Sequence, residues 1–489
     1  MFRLFSQSGS CNRQCGGNNA ARQKRDENLM LVTSVSVCLM MMLVVVLGGC
    51  ASKPAAKPVA ALTPDQVRKN VESFDYVWTT IRDKHFDAKL NGADWDGARA
   101  ELRPKVEAAT TMAEARSAIE ALIAKLNQSH FGIIPAESYD KLNTPIDDAS
   151  EAPASKSKSV VDDSRGRLGM VIRANPTTVN NKTTYSALVI GVKPGSAAAA
   201  AGIKPGFTIE RFGKVAIADR LNAAAAGLEG KLTQRMQLSM VAAAINSGNV
   251  GRTVNFTVRD LNGKAKKLKL TYTRDETPIA TFGNLPPIPI ETESSTLPSG
   301  IGYAHFSIWL DPPRVSKWFD QFMKTHSSSP GVIIDLRGNP GGLGAMAMGM
   351  GGYFNVPKNT ELGTQITRET KLRFVVNPRF NAYTGKLAIL TDELSMSTSE
   401  IFAGGMKDIG RARIFGTSTP GVALPSSIER LANGDGFQYA FANYISAGGK
   451  PLEGVGVLVD EPVQYDAAGF KASPDPVVAA AEKWILSGK

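Results

Sequence analysis

The stretch GVIIDLRGNPGG, residues 331–342, decides the fold class of this 489-residue chain. A short apolar run leads into the charged pair Asp335 and Arg337, and a turn rich in glycine follows. Similar short strands alternate with helical patterns nearby: the strands are IGYAHFSIW, LAIL and RARIFG, and the helices are PPRVSKWFDQFMKTH and TSEIFAGGMKDIG. This alternation predicts a layered α/β core over residues 276–489.

The glycine turn at the end of this strand is a candidate binding loop. Glycine tolerates left-handed backbone conformations and lets backbone N–H groups approach a ligand closely, as an oxyanion hole requires. The alternative is a plain strand-to-helix turn stabilised by an Asp335–Arg337 pair. A phosphate loop is not indicated, because no Gly-Lys-Ser/Thr sequence follows.

A second stretch, AILTDELSMSTSEIF at residues 388–402, contains three serines at alternate positions: Ser395, Ser397 and Ser399. Ser397 and Glu400 have the spacing of a capping box at the start of a helix. The same position suits a nucleophile, because the positive end of a helix and its free N–H groups can stabilise an oxyanion. This stretch alone leaves both interpretations open.

Two further domains are predicted before the α/β core. Residues 64–135 carry helical patterns that begin at Thr63 and Pro64 and end near SHFGIIP, and residues 136–164 are a polar linker. Residues 165–275 contain the apolar strand SALVIGV and a small-residue helix closed by Gly202, and they resemble a PDZ domain. The resemblance implies that the backbone of Leu168, Gly169 and Met170 binds a peptide C-terminus.

The N-terminal segment has the pattern of an export signal. Basic residues at 22, 24 and 25 precede an apolar run at 29–47, which ends in LGGC at Cys50. A transmembrane anchor is the alternative, because about 20 apolar residues can span a bilayer. The segment resembles a bacterial lipoprotein signal, which implies removal of residues 1–49 and a lipid on Cys50. Residues 50–63 then form a Pro/Ala/Lys linker, and we expect a lipid-anchored protein of the bacterial cell envelope that faces the periplasm.

Cysteine usage and charge exclude several functions. Three of the four cysteines lie in the predicted leader, so the mature chain has no cysteine pair for a disulfide, no cysteine-ligated metal site and no cysteine nucleophile. The formal charge is +11, but no block of lysine and arginine accompanies it, so nucleic acid is not predicted as a partner.

The motif DLRGNPGG, followed by SMSTSEIFAGGMKDIGRARIFG, resembles the C-terminal processing and tricorn-core family of serine peptidases. The resemblance implies a multidomain α/β protein with an N-terminal helical domain, a PDZ-like β domain and a tricorn-core catalytic domain. It implies cleavage of peptide or protein substrates without a metal or organic cofactor. Ser397 is the implied nucleophile, with Ser399 and then Ser395 as alternatives. Thr398, with Gly341 or Gly342, is implied to form the oxyanion hole.

The general base is the open question within this resemblance. One branch of the family uses a lysine 25 residues after the nucleophile, where this chain has Val422. The tricorn-like branch uses a histidine of the helical domain, which matches His130, together with a preceding serine and a later glutamate, which match Ser129 and Glu453. His305 is the alternative base. A catalytically inactive PDZ-containing scaffold, or a peptidase with another base, is the competing interpretation.

Overall fold

The computed structural model describes residues 35–37, 61–140, 165–228 and 233–487, all of which belong to one compact unit, Val35–Lys489. Cys50, most of the predicted leader and most of the two predicted linkers lie outside the described residues. The described part of the leader is a single strand, β1, at Val35–Val37.

The first domain is helical, as the sequence predicts. It comprises α1 Pro64–Lys84, a 3₁₀ turn at Leu90–Gly92, α2 Trp95–Glu107, α3 Met112–Ala124, β2 Gly132–Ile134 and α4 Glu137–Asp140. Thr63 caps α1 by accepting the N–H of Gln66, and Pro64 occupies the first turn, where its missing N–H costs nothing. Thr111 caps α3 in the same way with Glu114. Both helix starts are therefore determined by local sequence.

The middle domain contains a main β-sheet and, among its described residues, three α-helices. Its elements are β3 Arg165–Arg167, β4 Met170–Val179, β5 Lys182–Val192, α5 Ala197–Ala200, β6 Thr208–Phe212, β7 Val215–Ala216, α6 Ile217–Ala226, α7 Gln234–Ala243, a 3₁₀ turn at Ala244–Asn246, β8 Ser247–Asn249, β9 Thr253–Arg259, β10 Ala265–Thr271 and β11 Thr273–Arg274. The main sheet has the order β10-β9-β6-β5-β4, with β7 paired to β6.

The C-terminal domain is a layered α/β structure. Its elements are β12 Ile279–Ala280, β13 Ile288–Pro289, β14 Thr292–Thr296, β15 Gly302–Phe306, α8 Pro312–Thr325, β16 Gly331–Asp335, β17 Gly341–Leu343, α9 Gly344–Gly351, β18 Thr360–Ile366, β19 Lys371–Val376, β20 Lys386–Thr391, α10 Thr398–Asp408, β21 Arg413–Gly416, β22 Ser426–Arg430, β23 Gly436–Ala440, β24 Asn443–Ser446, β25 Glu461–Pro462, α11 Ala467–Ala472 and α12 Pro476–Leu486.

The central sheet of this domain explains the apolar run that opened the sequence. Its order is β14-β15-β16-β20-β21-β25, and every pairing except β14 with β15 is parallel. All five residues of β16 are buried, as expected for an inner strand of a parallel sheet with both faces covered. The glycine turn after β16 and the serine motif after β20 therefore meet at the same edge of the sheet, where the carboxyl ends of these strands lie.

Two contacts join the domains around this edge. Strand β2 of the helical domain pairs with β23, and Arg116 binds the buried carboxylate of Asp435 through two nitrogens. In the middle domain, Leu188 and Ile190 pack in one apolar cluster with aromatic side chains of the C-terminal domain. Both neighbouring domains are thus packed against the C-terminal domain.

Within the described ranges, no helix has the length and apolar composition needed to cross a bilayer.

Candidate active site

Ser397 lies at the first turn of α10 in a strained backbone conformation. It is the N-cap residue of this helix, with φ of 53° and ψ of −115°, and it is fully buried. A residue with a side chain rarely adopts a positive φ, and such strain is concentrated at functional sites. Its N–H is shared between the carbonyl of Val422, at 3.0 Å, and the carboxylate of Glu400, at 2.9 Å. The turn is therefore held from two sides.

His130 comes from the helical domain and reaches this serine. Its Nε2 lies 3.2 Å from the Oγ of Ser397, and both side chains are buried. His130 also has a positive φ, 61°, and lies two residues before the start of β2. The pairing of β2 with β23 therefore positions the imidazole over the serine. Burial lowers the pKa of His130 to about 3, so the ring is neutral at neutral pH.

Ser129 and Glu453 continue the chain of contacts on the other side of the ring. The Oγ of Ser129 lies 2.7 Å from Nδ1 of His130 and donates to Oε2 of Glu453 at 2.8 Å. The carboxylate also accepts the N–H groups of Ser129, at 2.9 Å, and Ala423, at 3.0 Å. Burial raises the pKa of Glu453, and these donors oppose that rise.

Glu400 is a buried carboxylate beside the nucleophile that the sequence identified only as a helix cap. It forms the capping box with Ser397. It also accepts the hydroxyl of Thr419 at 2.6 Å and the N–H groups of Gly421 and Val422 at 2.8 and 3.0 Å. Burial raises the pKa of Glu400 to about 7. This carboxylate ties the serine turn to the 419–422 loop.

The glycine strand lies directly against the serine. A Cβ at Gly341 would come within 2.6 Å of Cβ of Ser397 and within 2.9 Å of the backbone nitrogen of Thr398, so only glycine fits. The N–H of Gly341 donates to Oδ1 of Asn339 at 3.0 Å, and the hydroxyl of Thr398 donates to the carbonyl of Gly342 at 2.8 Å. The three residues predicted for the oxyanion hole are therefore brought together, with the N–H of Gly341 engaged by Asn339.

Asp335 and Arg337 form a buried anchor rather than facing Ser397. Arg337 contacts both oxygens of Asp335 and also binds Asp475 and Tyr465. Burial alone would raise the pKa of Asp335, but the guanidinium of Arg337 outweighs it and lowers the pKa to about 2. The pair stabilises the turn after β16 against the C-terminal segment.

The side chains of the other candidate residues make structural contacts. The side chain of Val422, in the position of the lysine of the other branch, lies in an apolar cluster with Met236, Leu394 and Met396. Nδ1 of His305 contacts the backbone carbonyl of Asp335. Ser399 accepts the indole N–H of Trp309 and donates to a backbone carbonyl, which is a structural role.

Of the three residues predicted for the PDZ-like loop, Leu168 and Gly169 lie between β3 and β4, and Met170 is the first residue of β4. The N–H groups of Leu168 and Met170 donate to the backbone and side-chain oxygens of Asn246. The backbone N–H of Ala174 in β4 donates to Ser239 of α7 at 3.0 Å. A peptide bound between β4 and α7 would therefore have to displace internal hydrogen bonds.

The middle domain is linked to the serine turn by buried charges. Nε of Arg173 donates to Asp392 at 2.7 Å, and Asp392 in turn accepts the N–H of Gly338 at 2.9 Å. Glu393 accepts the hydroxyl of Ser239 and contacts Arg235 of α7. Both carboxylates stand just before the serine motif, so the middle domain supports the loop that carries Ser397.

Within the described part of the chain, no group of three or more histidine, cysteine, aspartate or glutamate residues is arranged to hold a metal ion.

Comparison with known proteins gives consistent matches over most of the chain. Residues 300–463 match peptidase family S41, and residues 68–124 match the tricorn protease C1 domain. A carboxyl-terminal-processing protease of Synechocystis is 24% identical over 415 residues, which is 84% of this chain and 85% of that protein. A probable CtpA-like serine protease of Staphylococcus epidermidis is 31% identical over 130 residues, which is 26% of each chain.

Solved structures show the same fold at low identity. The photosystem II D1 C-terminal processing protease has a TM-score of 0.50 at 18% identity and covers 87% of this chain and 98% of its own. Mature CPAF has a TM-score of 0.53 at 11% identity and covers 86% of this chain and 97% of its own.

Proposed function

Because this chain belongs to peptidase family S41, among the carboxyl-terminal processing proteases, and is a serine-type peptidase, we propose that it cleaves peptide bonds with Ser397 as nucleophile and His130 as general base. The observation that carries this proposal is the unbroken series of contacts from Ser397 through His130 and Ser129 to Glu453. This series joins side chains from two domains, and the two atoms of each contact lie within hydrogen-bonding distance.

The direction of each hydrogen bond follows from the chemistry of the last group. An ionised Glu453 only accepts, so Ser129 donates its hydroxyl proton to it and uses its lone pair to accept from Nδ1–H of His130. This leaves Nε2 unprotonated and able to accept the proton of Ser397. Ser129 and Glu453 are thus positioning residues that select the reactive tautomer.

The reaction then proceeds through an acyl-enzyme. His130 takes the proton from Ser397 as Oγ bonds to the peptide carbonyl carbon, and the imidazolium returns this proton to the leaving amine. Water, deprotonated by the same imidazole, attacks the ester and releases the acid product. The N–H of Thr398 stabilises the oxyanion together with a second N–H, from either Gly342 or Gly341. The N–H of Gly341 would first have to be released from Asn339.

A peptide substrate would bind as an extended strand beside the glycine loop. In support of this, β1 of this chain pairs antiparallel with β17, with Ser36 opposite Gly342 and Val37 opposite Gly341. Backbone pairing of this kind holds a substrate independently of its side chains. The scissile bond would then lie next to Ser397.

We propose that the protein lies in the bacterial cell envelope, is anchored to a membrane by a lipid on Cys50, and faces the periplasm. The support for this proposal is the LGGC pattern after an apolar run. We assign residues 64–135 to a helical domain with His130, 165–275 to a PDZ-like domain and 276–489 to the catalytic core. Helix α7 lies beside strand β4, with Ser239 accepting the N–H of Ala174, and this packing supports the PDZ-like assignment.

Labelling with a fluorophosphonate probe tests the chemistry directly. We expect the wild-type chain to be labelled and hydrolyse peptides, Ser397→Ala to lose both properties, and Ser399→Ala to keep labelling. A wild-type chain that takes up no probe and cleaves no peptide would support the inactive scaffold instead. Labelling that is lost in Ser399→Ala and kept in Ser397→Ala would identify Ser399 as the nucleophile.

A further inference from the structure

The net positive charge of the chain comes from its middle domain. Residues 165–275 contain eighteen lysines and arginines and five aspartates and glutamates, a net charge of +13, whereas the rest of the chain has 38 basic and 40 acidic residues, a net charge of −2. The overall charge of +11 is therefore a property of one domain. Asymmetry of this size indicates an interaction with an anionic partner.

Part of this charge lies on one face of the main sheet. The opposite face of the sheet is apolar and buried: Phe256 and Val258 of β9 lie in the core of the domain. On the outer face, Leu188 and Ile190 of β5 are covered by the C-terminal domain. Strands β6, β9 and β10 extend beyond this cover, and their outer face is exposed to solvent.

The exposed part of this outer face carries four cations, which we call the basic face: Arg211, Arg259, Lys267 and Lys269. The strand register places Lys267 opposite Thr257, and Thr257 opposite Arg211, so the two cations share one cross-strand row. Lys269 lies opposite Asn255 in the next row. Arg259 is bound to Glu210, and no ion pair of the other three is seen among the described residues. Exposed Lys214, Arg252 and Lys264 lie in the adjoining turns.

Protection of a sheet edge does not account for this arrangement. Lysines on an edge strand such as β10 discourage pairing with other chains. Arg211 and Arg259, however, belong to β6 and β9, which are inner strands. The cations therefore cover a surface rather than an edge.

We propose that the basic face binds the anionic phospholipid headgroups of the membrane to which the protein is anchored; the membrane setting rests on the lipid anchor of the proposed function. A sheet face with short Thr and Asn side chains between long cationic ones suits a headgroup layer, where each lysine or arginine adds to the attraction. The face has no aromatic side chain among its described rows, and single-stranded nucleic acid is usually bound by stacking on aromatic residues. Membrane contact would orient the peptidase as well as tether it.

Vesicle flotation tests this with a chain that starts at position 51 and so has no lipid but keeps residues 61–487. We expect binding to phosphatidylcholine vesicles that contain phosphatidylglycerol, no binding to pure phosphatidylcholine, and loss of binding at high salt. The variant Arg211→Glu/Lys267→Glu/Lys269→Glu should bind at least about a hundredfold more weakly. The control Lys358→Glu/Lys371→Glu/Lys450→Glu changes the net charge equally at exposed lysines of the C-terminal domain and should keep binding.

Each other outcome overturns the proposal. Equal binding of the two triple variants would show that only net charge matters, and no binding of the wild type to anionic vesicles would remove the proposed partner. Tighter binding of a single-stranded oligonucleotide than of vesicles at the same salt concentration, lost in the first variant, would assign the face to nucleic acid. Hydrolysis of a soluble peptide should be unchanged in both triple variants, so failure of this proposal is distinguishable from failure of the proposed peptidase chemistry.

Discussion

Nε2 of His130 lies 3.2 Å from Oγ of Ser397, although 267 positions separate the two residues in the chain. The histidine ends a helical domain and the serine starts a helix of the α/β core, so this contact exists only when both domains are packed together. The strand pair β2–β23 and the Arg116–Asp435 contact hold this packing. Catalysis by the proposed mechanism therefore depends on the interface between two domains.

His130→Ala should reduce kcat/KM by about three orders of magnitude or more, because it removes the imidazole whose Nε2 lies 3.2 Å from Oγ of Ser397. Peptide hydrolysis by the purified variant measures this. His305→Ala is the matched control and should keep near wild-type activity, since Nδ1 of His305 binds a backbone carbonyl. The opposite result, with only His305→Ala inactive, would move the base into the α/β core.

Activity should rise with pH through a value near 7 because of Glu400, and not because of His130. The pKa of Glu400 is raised to about 7, so below this pH the protonated carboxyl loses acceptor capacity toward the four groups that it holds. The pKa of His130 is lowered to about 3, so its neutral, basic form persists far below pH 6.5. The pH profile of kcat/KM should therefore show an acid limb near 7.

Glu400→Gln separates these two ionisations. The amide cannot titrate, so the limb near pH 7 should disappear and leave any remaining limb at much lower pH. We also expect kcat to fall by about tenfold to a hundredfold, because the NH₂ group would face donors that need an acceptor. Thr419→Val removes one of these donors and should keep the limb near 7. If the limb persists unchanged in Glu400→Gln, it belongs to His130.

Ser129→Ala and Glu453→Gln should each lower kcat by about tenfold to a thousandfold with little change in KM, because both act on the imidazole rather than on substrate. The double variant should be no worse than the more impaired single variant, since the two side chains act in one series. Steady-state kinetics of the three proteins measure this. Fully additive losses would mean that Ser129 and Glu453 act independently.

Arg173→Met should destabilise the protein by about 3–5 kcal/mol, because it leaves the buried carboxylate of Asp392 without its cation. The urea midpoint measures the effect. Arg259→Met, which breaks the more exposed pair with Glu210, should cost less than about 1 kcal/mol. Similar midpoints for the two variants would show that the Arg173–Asp392 contact does not stabilise the docking of the middle domain.

Cys50→Ala should release the mature chain from membranes, because it removes the residue proposed to carry the lipid. Fractionation of cells and intact-mass measurement of the N-terminus give the result. A variant that stays membrane-bound with residues 1–49 still attached would support a transmembrane anchor.

Local sequence determined the elements that carry the site and the motifs that carry the family resemblance. The Thr63 and Thr111 caps, the buried run of β16, the glycine turn and the serine motif act within a few residues, and their structures follow from backbone propensity and local hydrogen bonds. The family resemblance was confirmed by the matches to peptidase family S41 and the tricorn C1 domain. It directed attention to His130 without specifying its contacts.

Tertiary structure decided the pKa values of the buried site residues and the arrangement of the cations on the surface. In the sequence, Glu400 has the pattern of an ordinary helix-capping residue. Its complete burial raises its pKa to about 7. Burial likewise lowers the pKa of His130 to about 3. The concentration of charge in residues 165–275 can be counted from the sequence, but the register of β6, β9 and β10 decides that Arg211, Arg259, Lys267 and Lys269 share one face of the sheet. Desolvation and cross-strand proximity are sums over neighbours distant in the chain, so no local pattern encodes them.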